Sequence, residues 1–167
     1  MRALFLDRDG VINVDHGYVG TRDRFEWIEG AREAIALATQ SGWRVFIVTN
    51  QSGVARGFYS EDDVRSLLAW IAGECAAYGG TIDDYRYCPY HPDAPLDAYR
   101  RAHDWRKPAP GMLLDLMRVW RLTPDRCVLV GDQPSDIVAA ERAGMPGFLF
   151  PGGNLLAFVR PILAAAA

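Results

Sequence analysis

Short apolar runs alternate with stretches of helical periodicity along almost the whole chain. Runs at 3–6, 45–48, 127–130 and 147–150 have the length and apolar character of buried strands, and a weaker one spans 82–88. Between them, 30–40 places Ala34, Ile35, Leu37 and Ala38 on one helical face, with Gly42 closing the segment. Ser60 reads as an N-cap followed by Glu61, Asp62 and Asp63, and that helix runs to about Tyr78, where Gly79-Gly80 stops it. Residues 112–120 and 135–143 are also expected to be helical, the first with Pro110 in its first turn and the second ended by Gly144. In the tail, Leu155, Leu156, Phe158, Val159, Ile162 and Leu163 predict a short packing helix interrupted near Pro161. Strand and helix in alternation imply an α/β fold, a parallel sheet with helices on both faces.

In such sheets ligands bind beyond the carboxyl ends of the strands. The conspicuous polar residues fall there: Asp7 and Asp9 after the first run, Thr49 and Asn50 after the second, and Asp132 after the 127–130 run. Two acids at the tip of a buried strand, followed by Gly10 for the turn, are costly without compensation. A divalent cation such as Mg²⁺, held by one or two carboxylates and a substrate phosphate, supplies it. Two long connections, 10–29 and 89–108, are long enough to wall a site and too short to form a separate cap domain.

The 167 residues suit one domain, 1–167, and half of them are hydrophobic. A net charge of −3 gives no footprint for nucleic acid or an anionic membrane surface, and no apolar run has the length of a membrane span. The chain enters a strand ending in acids at once, so no signal segment is expected. Cys75, Cys88 and Cys127 form no disulfide framework, and a reducing, cytoplasmic setting fits them.

Four segments in order, Asp7-Arg8-Asp9-Gly10, Thr49-Asn50-Gln51-Ser52-Gly53, Arg106-Lys107-Pro108 and Gly131-Asp132-Gln133-Pro134-Ser135-Asp136, resemble the motifs of the haloacid dehalogenase superfamily phosphatases. The segments 13–19 and 50–57 are similar to those of the heptose bisphosphate phosphatases within that superfamily. The resemblance covers roughly 3–150. It implies a three-layer α/β/α Rossmann-like fold with strand order 3-2-1-4-5, and Mg²⁺-dependent hydrolysis of a phosphate monoester. By the same resemblance Asp7 is the nucleophile that forms an aspartyl-phosphate, and Asp9 is the acid and base. Thr49 and Lys107 bind phosphoryl oxygens, and Mg²⁺ is held by Asp7, the Asp9 carbonyl and Asp132. Asp136 either supports the metal ligands or caps its helix. The substrate contacts implied are Asp15, His16, Gly17, Tyr18, Asn50, Gln51, Ser52, Arg56 and Arg106. Against these stand plainer readings of Arg56 as a solvated cation, His16 as a loop anchor and Tyr18 as packing. The substrate implied is a small phosphorylated sugar, a heptose 1,7-bisphosphate losing its 7-phosphate for surface-glycan synthesis, and the enzyme is expected to be a monomer.

One region departs from the family. Many relatives carry a zinc loop, Cys-x-His followed by Cys-x-Cys. Here Tyr90 stands for the histidine, and His103 and Trp105 stand for the two cysteines. Cys88, His91 and His103, with Asp104, are the remnant candidates. The expectation is against zinc, with packing of Tyr90 and Trp105 holding the loop. Rival functions are a histidinol-phosphate phosphatase, a phosphate-binding module without turnover, and a nucleic-acid 3′-phosphatase. The acidic charge disfavours the last.

Overall fold

The computed structural model describes residues 1–166. Five strands and five helices alternate: β1 (Arg2–Leu6), α1 (Ala31–Gln40), β2 (Trp43–Asn50), α2 (Glu61–Ala77), β3 (Asp84–Cys88), α3 (Gly111–Trp120), β4 (Cys127–Gly131), α4 (Pro134–Arg142), β5 (Gly147–Leu149) and α5 (Leu155–Ala165). The sheet is parallel throughout, in the order β3-β2-β1-β4-β5. No helix among the described residues is long and apolar enough to cross a membrane.

β1 lies at the centre, paired with β2 and β4, and Ala3, Leu4, Phe5 and Leu6 are wholly buried. A strand covered on both faces needs apolar residues at every position, which is why its sequence does not alternate. Successive side chains still point to opposite faces. Leu4 and Leu6 pack with Val45 and Ile47 against Ile35, Leu68, Ile71 and Val159, so α1, α2 and α5 cover one face. Ala3 and Phe5 pack with Phe46 and Val48 against Met112, Leu116 and Ala139, so α3 and α4 cover the other. These are the three expected layers.

Several boundaries move for local reasons. β3 begins at Asp84 rather than Ile82, because the Asp83 carboxylate takes the Val45 N–H (2.8 Å) that a strand carbonyl would otherwise accept. Ser60 does cap α2, and its hydroxyl and the Asp63 carboxylate each accept from the other's backbone N–H, a reciprocal box. Pro110 is the N-cap of α3, one position before the first turn. α5 runs unbroken through Pro161, contrary to the expected interruption, and buries Leu155, Val159 and Leu163. A proline costs a helix one hydrogen bond, and here three buried apolar side chains offset that loss. Cys75, Cys88 and Cys127 are buried free thiols.

Register places the site. Leu6 lies level with Ile47 and Val130. The first residues beyond β1 therefore emerge beside the ends of β2 and β4, which gathers Asp7, Thr49 and Asp132 at one edge of the sheet.

Candidate active site

A cavity of about 380 Å³ opens at that edge, lined by the strand-end acids Asp7, Asp9 and Asp132, by residues of the 10–29 and 50–59 segments, and by Lys107 and the start of α4. Its floor is ionic and dry. Asp7, Lys107 and Asp136 are 7%, 4% and 1% exposed. The Lys107 ammonium donates to Asp7 Oδ1 (2.9 Å), Asp136 Oδ1 (2.6 Å) and the Val48 carbonyl (2.9 Å), which uses all three of its protons. Asp7 Oδ1 also accepts the Arg8 N–H at 2.8 Å, so these bonds all fall on one oxygen and leave Oδ2 out of them. Lys107 is itself aimed by a two-way clamp. Asn50 Nδ2 donates to the Lys107 carbonyl, and the Lys107 N–H donates to Asn50 Oδ1, each at 3.0 Å.

Burial pushes the Asp7 carboxyl well above the ordinary carboxylate range; Lys107 opposes this, and the neighbouring charges of Asp136 and Asp9 add to it. Burial draws Lys107 down, but Asp7 and Asp136 outweigh it and hold the ammonium above its ordinary value. Burial also raises Asp132, against hydrogen bonds that lower it. One cation thus serves two of three crowded carboxylates, and Asp132 has no bond to it.

Those carboxylates fit a hard divalent cation. One oxygen from each of Asp7, Asp132 and Asp136 lies within 4.8 Å of the other two, the single such grouping of possible metal ligands among the described residues. Asp132 Oδ1 is buried without a hydrogen-bond partner, the condition of an oxygen built to meet a ligand. Gly10 allows the close approach, since a Cβ there would fall 2.0 Å from Asp132 Oδ2. Asp136 is less free. Its Oδ1 is bound to Lys107 and its Oδ2 accepts the Gln133 N–H at 3.1 Å, so it both supports the site and caps α4. Asp7 and Asp132 are the open carboxylates.

Asp9 lines the same cavity but is bonded to other partners. Its Oδ1 accepts from Arg8 Nη2 (2.7 Å) and Asn13 Nδ2 (3.0 Å), and its Oδ2 accepts from Gln51 Nε2 (2.9 Å). Arg8 is completely buried. Thr49, also completely buried, stands behind the cavity wall and accepts from Gln51 at 2.8 Å.

Of the expected substrate contacts, Asp15, Gly17, Tyr18, Asn50, Gln51 and Ser52 line the cavity. Asn50 and Gln51 depart from that expectation in one respect. Their amides are committed to Lys107 and to Asp9 and Thr49, so they hold the machinery instead of reaching outward. His16 lies off the cavity, its ring against Glu26 at 2.6 Å, as a loop anchor would be. Arg56 and Arg106 do not line the cavity either. Arg56 sits over the Tyr18 ring at 5.7 Å with its Nε buried and unpartnered, and Arg106 reaches the Tyr90 carbonyl at 3.5 Å. The residue that the sequence reading missed is Tyr59, whose hydroxyl donates to Gln51 Oε1 at 2.6 Å.

Cys88, His91 and His103 do not converge as a ligand set. Cys88 is buried beside the Tyr90 carbonyl, His91 Nδ1 accepts the Asp93 N–H, and His103 Nδ1 accepts the Trp105 N–H. The loop is held by aromatic contacts. Tyr90 stacks on His103 with centroids 4.8 Å apart, His103 meets Trp105 edge-on, and Arg101 lies 4.0 Å over Tyr90.

Comparison with known proteins agrees with this geometry. Residues 104–157 match the HAD-hydrolase-like family model. The chain is 52% identical over 161 residues to the D-glycero-β-D-manno-heptose-1,7-bisphosphate 7-phosphatase of Rhodopseudomonas palustris, covering 96% of this chain and 89% of that one. It is 44% identical over 144 residues to the corresponding α-anomer phosphatase of Burkholderia mallei, covering 86% and 76%. Among solved structures, the D,D-heptose 1,7-bisphosphate phosphatase of B. bronchiseptica, complexed with magnesium and phosphate, superposes with a TM-score of 0.83 at 34% identity over 99% of this chain and 87% of that one. The chain belongs to the haloacid dehalogenase superfamily of phosphatases, in the family of the heptose-1,7-bisphosphate 7-phosphatases.

Proposed function

We propose that the protein hydrolyses the 7-phosphate of D-glycero-D-manno-heptose 1,7-bisphosphate with Mg²⁺, and that the β anomer is its preferred substrate. The observation that carries the chemistry is the buried Asp7–Lys107–Asp136 array beside the unpartnered Asp132 oxygen. Similarity to the R. palustris enzyme over nearly both full lengths carries the substrate.

Asp7 Oδ2 attacks phosphorus in line, and the sugar C7 oxygen leaves as the aspartyl-phosphate forms. Asp9 gives that oxygen a proton. It then removes one from the water that attacks the aspartyl-phosphate, which releases phosphate and restores Asp7. Lys107 fixes Asp7 and adds positive charge where the equatorial oxygens gather. Asp7, Asp132 and the Asp9 carbonyl would hold Mg²⁺, which would supply the charge that lets an anionic carboxylate approach a phosphoryl dianion. Asp136 keeps Lys107 and the start of α4 in place.

Arg56 and Arg106 are the groups for the remaining 1-phosphate. Burial disfavours the Arg106 charge, and nearby Arg56 adds to this; His91 is held down by burial, Arg106 and Arg56. An anion bound among them relieves that repulsion. Asp15, Tyr18 and Ser52 then border the sugar. The reading takes residues 1–167 as one phosphatase domain, monomeric and cytoplasmic, feeding activated-heptose synthesis for a surface glycan. Its buried free thiols suit a reducing compartment.

The test is phosphate release with Mg²⁺ on both anomers of the heptose bisphosphate, histidinol phosphate and fructose 1,6-bisphosphate, with Asp7→Asn as control. The reading expects the highest kcat/KM on the β-heptose bisphosphate and none with Asp7→Asn. A preference for histidinol phosphate keeps the mechanism and overturns the substrate.

A further inference from the structure

The chain from Tyr59 through Gln51 to Asp9 has a direction that the hydrogen bonds fix. An ionised carboxylate only accepts, so the end of the Gln51 side chain that meets Asp9 Oδ2 at 2.9 Å is its NH₂. The second proton of that NH₂ goes to Thr49 Oγ1 at 2.8 Å. Gln51 Oε1 is therefore turned the other way, and Tyr59 donates to it at 2.6 Å. Burial raises the Tyr59 phenol to about 12, so it stays a donor at any working pH. Gln51 is 2% exposed, and its amide is spent on protein partners.

The anchor at the far end is built in. The Tyr59 ring lies between two glycines from different loops. A Cβ on Gly20 would fall 2.4 Å from the ring, and one on Gly53 would fall 2.3 Å from it. Any side chain at either position would displace the ring and its hydroxyl. Tyr59 thus ties the 10–29 loop to the 50–59 loop and holds the Gln51 amide from behind.

The two oxygens of Asp9 differ. Oδ1 accepts two hydrogen bonds, from Arg8 and Asn13, which fill both of its in-plane lone pairs. Oδ2 accepts only the bond from Gln51 and keeps one lone pair open. We propose that Asp9 moves protons through Oδ2, that Gln51 is the positioning residue that aims this oxygen, and that Tyr59 fixes which end of the Gln51 amide faces it. In the first step the Oδ2–H bond breaks and its proton goes to the leaving alkoxide as the P–O bond to the sugar breaks. In the second, a water O–H bond breaks, the proton returns to Oδ2, and the water oxygen bonds phosphorus as the P–O bond to Asp7 breaks and frees its carboxylate. The inference rests on the phosphatase reading of the site and is independent of which sugar leaves.

Steady-state kinetics on two substrates test it. The first is the heptose bisphosphate. The second is glycerol 3-phosphate, which also has an alkoxide leaving group but carries no sugar. Gln51→Met keeps the length of the side chain and removes its hydrogen bonds. It is expected to lower kcat about tenfold or more on both substrates, with KM changed less than about threefold. Tyr59→Phe keeps the ring between the two glycines and removes only the hydroxyl. It is expected to lower kcat by about threefold in the parent enzyme and to have no effect in the Gln51→Met background. A rise in KM confined to the heptose bisphosphate would make Gln51 a sugar contact and overturn the inference. So would unchanged kcat in Tyr59→Phe, or losses that multiply in the double variant. If the parent enzyme hydrolyses glycerol 3-phosphate but not the heptose ester, the substrate reading fails while the Gln51 comparison is still read on glycerol 3-phosphate.

Discussion

Lys107 shows how much one side chain can hold. Its ammonium bonds to Asp7, Asp136 and the Val48 carbonyl at 2.6–2.9 Å, one acceptor for each of the three protons on its nitrogen. Lys107→Met would leave two buried carboxylates without their cation. Breaking a buried pair in this way costs about 3–5 kcal/mol, read as a lowered urea midpoint in Mg²⁺-free buffer, and turnover is lost. Lys107→Arg is expected not to restore turnover, because a planar guanidinium cannot reproduce that geometry. Asp7, Asp9 and Asp132 were legible in the sequence because each ends an apolar run. Lys107 was legible only through the family motif, since its strength comes from partners 100 and 29 residues away along the chain, Asp7 and Asp136. Gln51 shows the limit of reading by motif: its place in the cavity wall follows from the sequence, but the direction of its amide is set by Tyr59 and Asp9 together.

Among the elements, α2 carries its own start signal. The Asp63 carboxyl is held below its ordinary value of 3.8 by the Ser60 N–H first and the Ser60 hydroxyl second. A carboxyl lowered in the folded state contributes stability above the unfolded-state value and loses it as pH falls through the folded-state value. The melting temperature is therefore expected to fall with acidification below the ordinary carboxylate range, and Asp63→Asn to flatten that part of the profile. An unchanged profile in Asp63→Asn would show that the box has no share in acid stability. Because the box is local, its four residues announce it. β3 and α5 are different. The start of β3 depends on Asp83 meeting Val45, 38 residues earlier, and the continuity of α5 past Pro161 depends on the apolar face it buries. A local rule about strand propensity or proline sees neither partner.

For the molecule as a whole, the sheet order collects acids from separate segments against one lysine, and the crowding is relieved only when more positive charge arrives. Binding that favours the folded state raises apparent stability. Mg²⁺ is expected to raise the melting temperature, and Asp132→Asn, which replaces a charged ligand oxygen at the same size, to abolish most of that rise. Chelation should remove activity and re-added Mg²⁺ restore it. A melting temperature that ignores Mg²⁺ in the parent enzyme would count against the site assembled from Asp7 and Asp132.

The alternation of apolar runs and amphipathic segments determined the layered parallel sheet, because burial on two faces demands a different periodicity from burial on one. The same pattern fixed where the acids would lie, at the ends of buried strands. What only the tertiary structure decided is which polar atoms meet. Asp136 serves both Lys107 and α4, Tyr59 stands behind Gln51, and His103 Nδ1 takes the Trp105 N–H within the 89–108 loop. Those pairings join residues brought close by register and loop closure, and in a dry interior each donor must find whichever acceptor the packed backbone leaves within reach.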